Sequence, residues 1–215
     1  MTLPSVRCCW LVATLMIQGT LSGCSGDDKS TAPIPEDPRK TIDGLFQELK
    51  DAYEARDITR YGRLFDQENF VFVFDERDVA ENPGIPTSWD WSLEEVASRN
   101  MFQSDLVVGI ASEFEVEDPV AATTQDERDR SFPAGTVKVA IADVSLAVEN
   151  RDPFGGENLF YRVTGDGAFF FLYPDSSEIV DDVPVWKIFE WRDDRLFFFP
   201  TELKSWGAIK YVFRH

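Results

Sequence analysis

The chain has 215 residues, a formal net charge of −18 at pH 7, three cysteines and one histidine. A surface of this sign repels nucleic-acid phosphates and anionic lipid heads, so nucleic acid is not an expected partner. The single histidine, His215, is the last residue, which excludes histidine-based triads and His-rich metal sites.

Residues 1–7 carry one positive charge, Arg7, and no acid; residues 8–17 are apolar apart from Thr14. About 20 apolar residues are needed to span a bilayer as a helix, and this run is shorter. It has the shape of a secretory signal: basic start, apolar middle, small residues at the cut. Leu21-Ser22-Gly23-Cys24 then resembles the lipobox of bacterial lipoproteins. The resemblance implies a signal peptide over 1–23 and a Cys24 that carries diacylglycerol and an N-linked fatty acid such as palmitate. Two or more acyl chains hold a protein stably on a bilayer. The membrane is thus an expected partner through Cys24, in a bacterial cell envelope. Ser25 at the next position favours the outer membrane over the inner. Cys8 and Cys9 leave with the signal, so the mature chain has no internal disulfide, thiolate metal site or thiol nucleophile. Neither metal nor cofactor is expected.

Residues 24–37 are polar, acidic and proline-bearing and form a flexible tether, which spans roughly 20 Å as a coil. Residues 38–215 suit one domain. Asp37-Pro38 reads as a helix start. Ile42, Leu45, Phe46, Leu49, Ala52 and Tyr53 then recur at helical spacing up to about Arg56. Asp57 caps a second, short helix bearing Tyr61 and Leu64. "NFVFVF" (69–74) reads as a buried strand, and 76–91 as a loop. Ser92 and Glu95 form a capping box for a helix that turns Leu93, Val96, Ala97, Met101 and Phe102 inward. Strands follow at 106–117, with Leu106, Val108, Ile110, Ser112, Phe114 and Val116 on one face, and at 136–148. Residues 118–133 between them form a charged loop. Residues 158–173 are either a hairpin with an Asp-Gly turn or one long strand bent by a glycine bulge. Two more strands are expected at 184–192 and 207–214. Helices first and an antiparallel meander after them define an α+β domain.

Three stretches in this order, residues 45–72, 91–102 and 185–194, resemble the nuclear transport factor 2-like superfamily, with its SnoaL-like and ketosteroid-isomerase-like members. The resemblance implies a cone: a curved antiparallel sheet wrapped around about three N-terminal helices, with an apolar pocket at the wide end. In that superfamily's enzymes a pocket aspartate abstracts a proton. Asp143 is the candidate base, because alternation puts it on the face of Val137, Val139 and Ile141, where a carboxylate is costly unless it is used. A bulge, or a wet end to that face, explains it equally. Glu190 is expected to pair with a nearby Arg or Lys. Tyr53, Tyr61, Trp89, Trp91, Met101, Tyr161 and Trp186, with Asp143, are the candidate pocket residues; the aromatic ones suit a packed core as well.

The function expected from these features is a lipid-anchored envelope domain, a non-catalytic binder of a small apolar molecule or a partner protein. The alternatives are a cofactor-free isomerase, dehydratase or cyclase with an aspartate base, and an assembly module that pairs two copies or docks an envelope partner through the open sheet face.

Overall fold

The computed structural model describes residues 36–128, 130–194 and 205–214, the side chains of 164–166 and 194 apart. The expected signal peptide, Cys24 and nearly all of the tether lie outside these residues. Among the described residues no helix is long and apolar enough to cross a membrane.

The N-terminal helices start where the caps predict. Asp37 accepts from Arg39 N and caps a short 3-10 turn, Pro38–Lys40. Thr41, not Asp37, caps the helix proper, α1 (Ile42–Ala55), whose apolar stripe is buried as its periodicity demands. Arg39 is buried because its guanidinium has three partners: Asp37 at 2.7 Å, Glu178 at 2.5 Å and the Arg63 carbonyl at 3.1 Å. Asp57 caps α2 (Ile58–Gly62).

The stretch expected as a loop at 76–91 is more ordered. After β1 (Val71–Val73), Asp75 caps α3 (Glu76–Glu81), and β2 (Ser88–Asp90) pairs back on β1. The cap of α4 (Trp91–Gln103) is Asp90 rather than Ser92; Asp90 accepts from Leu93 N and from the Ser92 hydroxyl. This shifts the helix start by two residues. The expected inward pair Leu93 and Val96 is exposed, and Glu94 and Ser98 are buried beside Trp91, Ala97, Met101 and Phe102.

Among the described residues the sheet has seven strands, adding β3 (Val107–Val116), β4 (Val120–Ala121), β5 (Val137–Asn150), β6 (Leu159–Val180) and β7 (Val183–Asp194). Its order is β2-β1-β7-β6-β5-β3, with β4 on β5. All pairs are antiparallel except β1 with β7. Of the two readings of 158–173, the single bent strand holds, and β6 runs on to Val180. Register shifts interrupt the β3–β5, β5–β6 and β6–β7 pairings. Each such bulge bends its strand. The sheet consequently curls: α1 touches both β7 and β3, three strands apart, and α4 touches both β1 and β3. The architecture is α+β, a curved open sheet around the N-terminal helices.

The bulges also reset the faces. In β3 a shift at Val107/Gly109 turns Leu106 and Val108 out, while Ile110, Ser112 and Phe114 remain in. In β5 the shift lies between Ile141 and Val144. Val139 and Ile141 are buried before it, and Val144, Leu146 and Val148 after it.

The stretch expected as a last strand at 207–214 is a helix, α5 (Trp206–Val212). Ser205 caps it by accepting from Ala208 N at 3.1 Å. Trp206, Gly207, Ala208, Ile209 and Lys210 are all buried. Gly207 sits so close to its neighbours that an added Cβ would lie 2.7 Å from Phe72, 2.8 Å from Asp193 Oδ2 and 2.8 Å from Phe74. Gly207→Ala is therefore expected to cost about 1–3 kcal/mol, measured by urea unfolding; an unchanged midpoint would show that α5 does not pack there.

Candidate functional site

Among the described residues two places gather chemistry: a closed polar cluster inside the curved sheet, and an open groove on its outer face.

The closed cluster centres on Glu94, which α4 turns inward. Glu94 Oε1 accepts from Tyr61 OH at 2.6 Å, from Ser98 Oγ at 2.9 Å and from Lys210 Nζ at 2.8 Å. Its Oε2 accepts from Trp89 Nε1 at 3.1 Å. Both partners of the Glu94–Lys210 ion pair are 0 % exposed. Lys210 Nζ also donates to Tyr61 OH at 3.2 Å and sits 3.7 Å from the Trp191 ring centroid, a cation–π contact. Beside them Trp206 Nε1 donates to Tyr53 OH at 3.0 Å. Burial pushes the Tyr53 and Tyr61 hydroxyls well above the usual tyrosine range, with the Glu94 charge adding to it. Burial also lowers Lys210, and Glu94 opposes this. A buried ion pair survives when hydrogen bonds fill its remaining valences, and here they do. With four donors on its two oxygens, this carboxylate is a structural clasp that fastens α5 to α2 and α4.

Five of the eight sequence-derived pocket residues meet around this clasp. Tyr53, Tyr61, Trp89, Trp91 and Met101 are all buried. Their rings pack against one another and against α5. Ring centroids lie 5.3 Å apart for Tyr53–Tyr61, 5.4 Å for Tyr53–Trp206 and 4.6 Å for Trp191–Trp206, which is packing distance. Among the described residues α5 packs against this cluster through Trp206 and Lys210. Tyr161 and Trp186 are half-buried and elsewhere: Tyr161 pairs with Val148 and meets Phe213 edge-on, and Trp186 pairs with Pro174.

Asp143, the candidate base, points away from the interior. It sits in the β5 bulge, exposed, in the left-handed region at φ 49°. Aspartate tolerates that conformation better than most residues. The carboxylate on an apolar face, which strict alternation implied, is thus a carboxylate in water. Glu190 has the basic partners expected of it, Arg130 and Arg192. Sequence reasoning missed Glu94 and Lys210. The available signal was the run Trp91, Glu94, Ser98 and Met101 at helical spacing, which the propensity of a carboxylate for solvent outweighed.

The open groove has a volume of about 390 Å³ and is lined by Phe74, Asp75, Glu76, Arg77, Arg128, Lys138, Phe169, Arg192 and Asp193. It lies where the parallel strands β1 and β7 end, beside the start of α3. Lys138, Phe169 and Arg192 occupy the face of the sheet opposite Val139, Phe170 and Trp191, the core-facing residues. The charged loop after β4 folds over that face. Phe132 packs on Phe171 at 4.7 Å, and the Arg130 guanidinium covers the Phe189 ring at 3.8 Å. Asp126 binds Lys138 at 3.1 Å, and its carbonyl accepts from Arg192 at 2.6 Å. Backbone N–H of Thr123, its hydroxyl and Lys138 hold the Asp126 carboxyl below the usual range, against burial. At the groove's inner wall Asp193 Oδ2 accepts from Gly207 N at 2.5 Å. Burial pushes the Asp193 carboxyl up to about 7; the Gly207 N–H, Lys210 and Ser205 oppose the shift. Among the described residues no group of three or more His, Cys, Asp or Glu is placed to hold a metal ion.

No protein-family model matches the chain, and no curated protein does. Among solved structures it is similar to an NTF2-like protein of unknown function in nutrient uptake from Rhodospirillum rubrum, with 11% identity over 73% of this chain and 99% of that one, at a TM-score of 0.42. It is similar also to a protein of unknown function from Mycobacterium tuberculosis, with 10% identity over 80% and 83% of the two chains and a TM-score of 0.43. A third is a hexachlorocyclohexane dehydrochlorinase, LinA-type3 from Novosphingobium barchaimii, with 10% identity over 76% and 90% and a TM-score of 0.42. Likeness at these identities and TM-scores carries no chemistry over to this chain.

Proposed function

We propose that this chain is a bacterial lipoprotein, anchored through acylated Cys24, whose nuclear transport factor 2-like domain binds without catalysing. The observation that carries the second half is the filled interior. The acid that faces inward beside the tyrosines, Glu94, is fully buried and engaged by Tyr61, Ser98 and Lys210 on Oε1 and by Trp89 on Oε2. A general base has to lie within reach of substrate, and Glu94 is 0 % exposed. Asp143, the other acid considered, is on the solvent side of a bulge. The close packing of the described interior residues speaks against a small apolar ligand inside the sheet and for recognition on the outer surfaces, by a polar ligand or an envelope partner.

The anchor is supported by the lipobox at residues 21–24 and by the polar tether after it. The Asp37–Arg39–Glu178 bonds pin the domain's first turn to the end of β6. In cells fed labelled palmitate, the wild-type protein is expected to carry label and fractionate with membranes, outer ahead of inner. Cys24→Ala is expected to lose the label and turn soluble. Label persisting in Cys24→Ala, or an unlabelled soluble wild type, would overturn the anchor.

A further inference from the structure

We propose that the outer-face groove is an oxyanion site, for a small molecule bearing a carboxylate or phosphate group held by Arg77, Arg128, Lys138 and Arg192. The inference rests on the reading of the chain as a binding domain and adds the chemical class of its ligand.

Charge is the first observation. The chain carries 39 acids against 21 basic residues, yet four of the groove's lining residues are cations. Three acids line it too. Asp193 accepts from Gly207 N. Asp75 caps α3 and is paired with Arg77, itself one of the four cations, accepting from Arg77 N at 2.8 Å and from its guanidinium at 3.1 Å. The exposed acid is Glu76. Arginine forks present paired N–H donors that match the oxygens of carboxylate and phosphate; a lysine adds a point charge.

Preorganisation is the second. Asp126 fixes Lys138 by its carboxylate and Arg192 by its carbonyl, while Glu190 braces Arg192 from the other side. Lys138 Nζ sits 4.2 Å from the Phe169 ring centroid, and the Arg192 guanidinium 4.2 Å from that of Phe171. Cations held in this way lose little freedom when an anion arrives. Arg128 differs. It is exposed, and among the described residues it makes no hydrogen bond or ion pair. Its guanidinium is a donor still open at the groove, in contrast with the interior cluster, where Lys210 is paired with Glu94.

Size and surface complete the case. A volume of about 390 Å³ is in the range of small-molecule sites. The half-buried Phe169 gives an apolar wall for the body of a ligand whose head the cations hold.

The test is isothermal titration of the full mature protein with sodium phosphate and, separately, with sodium succinate; putrescine is the cationic control. One of the two anions is expected to bind saturably at one per chain, more weakly as salt is raised, and which one binds identifies the head group. Putrescine is expected not to bind. Arg128→Ala is expected to weaken the anion about tenfold, the loss of one charged hydrogen bond, with its unfolding midpoint unchanged. Arg99→Ala, on α4, is the control and is expected to bind as wild type does. Failure of both anions to saturate, or equal binding by Arg128→Ala, overturns the site. Palmitate labelling is unaffected by either result, so the fall of the groove and the fall of the anchor are distinguishable.

Discussion

Lys210→Met is expected to lower the unfolding free energy by about 3–5 kcal/mol, because it leaves the Glu94 carboxylate buried without its counter-charge. Methionine keeps most of the volume, so the loss reports charge rather than a cavity. Glu94→Gln alone is also destabilising, since it leaves the ammonium of Lys210 uncompensated against Trp191. The double variant costs less than the sum of the two, by roughly 1–3 kcal/mol, as expected of groups in direct contact. Urea unfolding of the four proteins closes this cycle. Additive losses would mean that Glu94 and Lys210 do not meet, and that α5 is not clasped to α4.

The second large effect is a pH dependence of opposite sign to ordinary acid denaturation. The Asp193 carboxyl is pushed up to about 7 by burial, from 3.8. Between those values the native state keeps a proton that the unfolded chain has released. Stability then falls as pH rises through this window, since the slope follows the protons bound unfolded minus those bound native. Asp193→Asn removes the titration while keeping an acceptor for Gly207 N. The variant is expected to match wild type near pH 4 and to exceed it above pH 7 by on the order of 1–4 kcal/mol. Asp37, Asp90, Asp126 and Glu178 work the other way. Hydrogen bonds from Arg39, Ser92, Thr123 and, for Glu178, Arg39 again lower them, so their stabilisation is lost only as pH drops below about 4. The two windows separate, and a Tm profile of wild type against Asp193→Asn reads the upper one. A constant difference between the two proteins from pH 4 to 8 would show Asp193 to be charged throughout.

Much of the fold could be read from local chemistry. The stripe of α1, the Asp57 cap, the buried run at β1 and the alternation of β3 and β5 all follow from periodicity, and helices before strands set the α+β class. The misreadings have two physical sources. One is the bulge. A single extra residue reverses every later side chain, so the face of Asp143 depended on a register shift at 141–144 that alternation alone does not reveal. The same holds for Leu106 and Val108. The other source is burial of charge. Glu94 and Lys210 are residues that propensity sends outward, and only their partners, 33 residues away at Tyr61 and across the chain from one another, make the interior tolerable for them. Trp206–Val212 carries the aromatic and β-branched content of a strand, yet the Ser205 cap and its place against Phe72 and Trp191 make it helical. The groove was invisible for a related reason. Its cations come from α3, the loop after β4, β5 and β7, and no single stretch of sequence is basic.

A crystal structure of the mature protein extracted from native membranes tests the filled interior most directly. The density enclosed by Tyr53, Tyr61, Trp89 and Trp191 is predicted to be Lys210 and Trp206, with the Lys210 ammonium on Glu94. A bound molecule in that space, with α5 swung outside and the Glu94 carboxylate facing the ligand, would contradict the account.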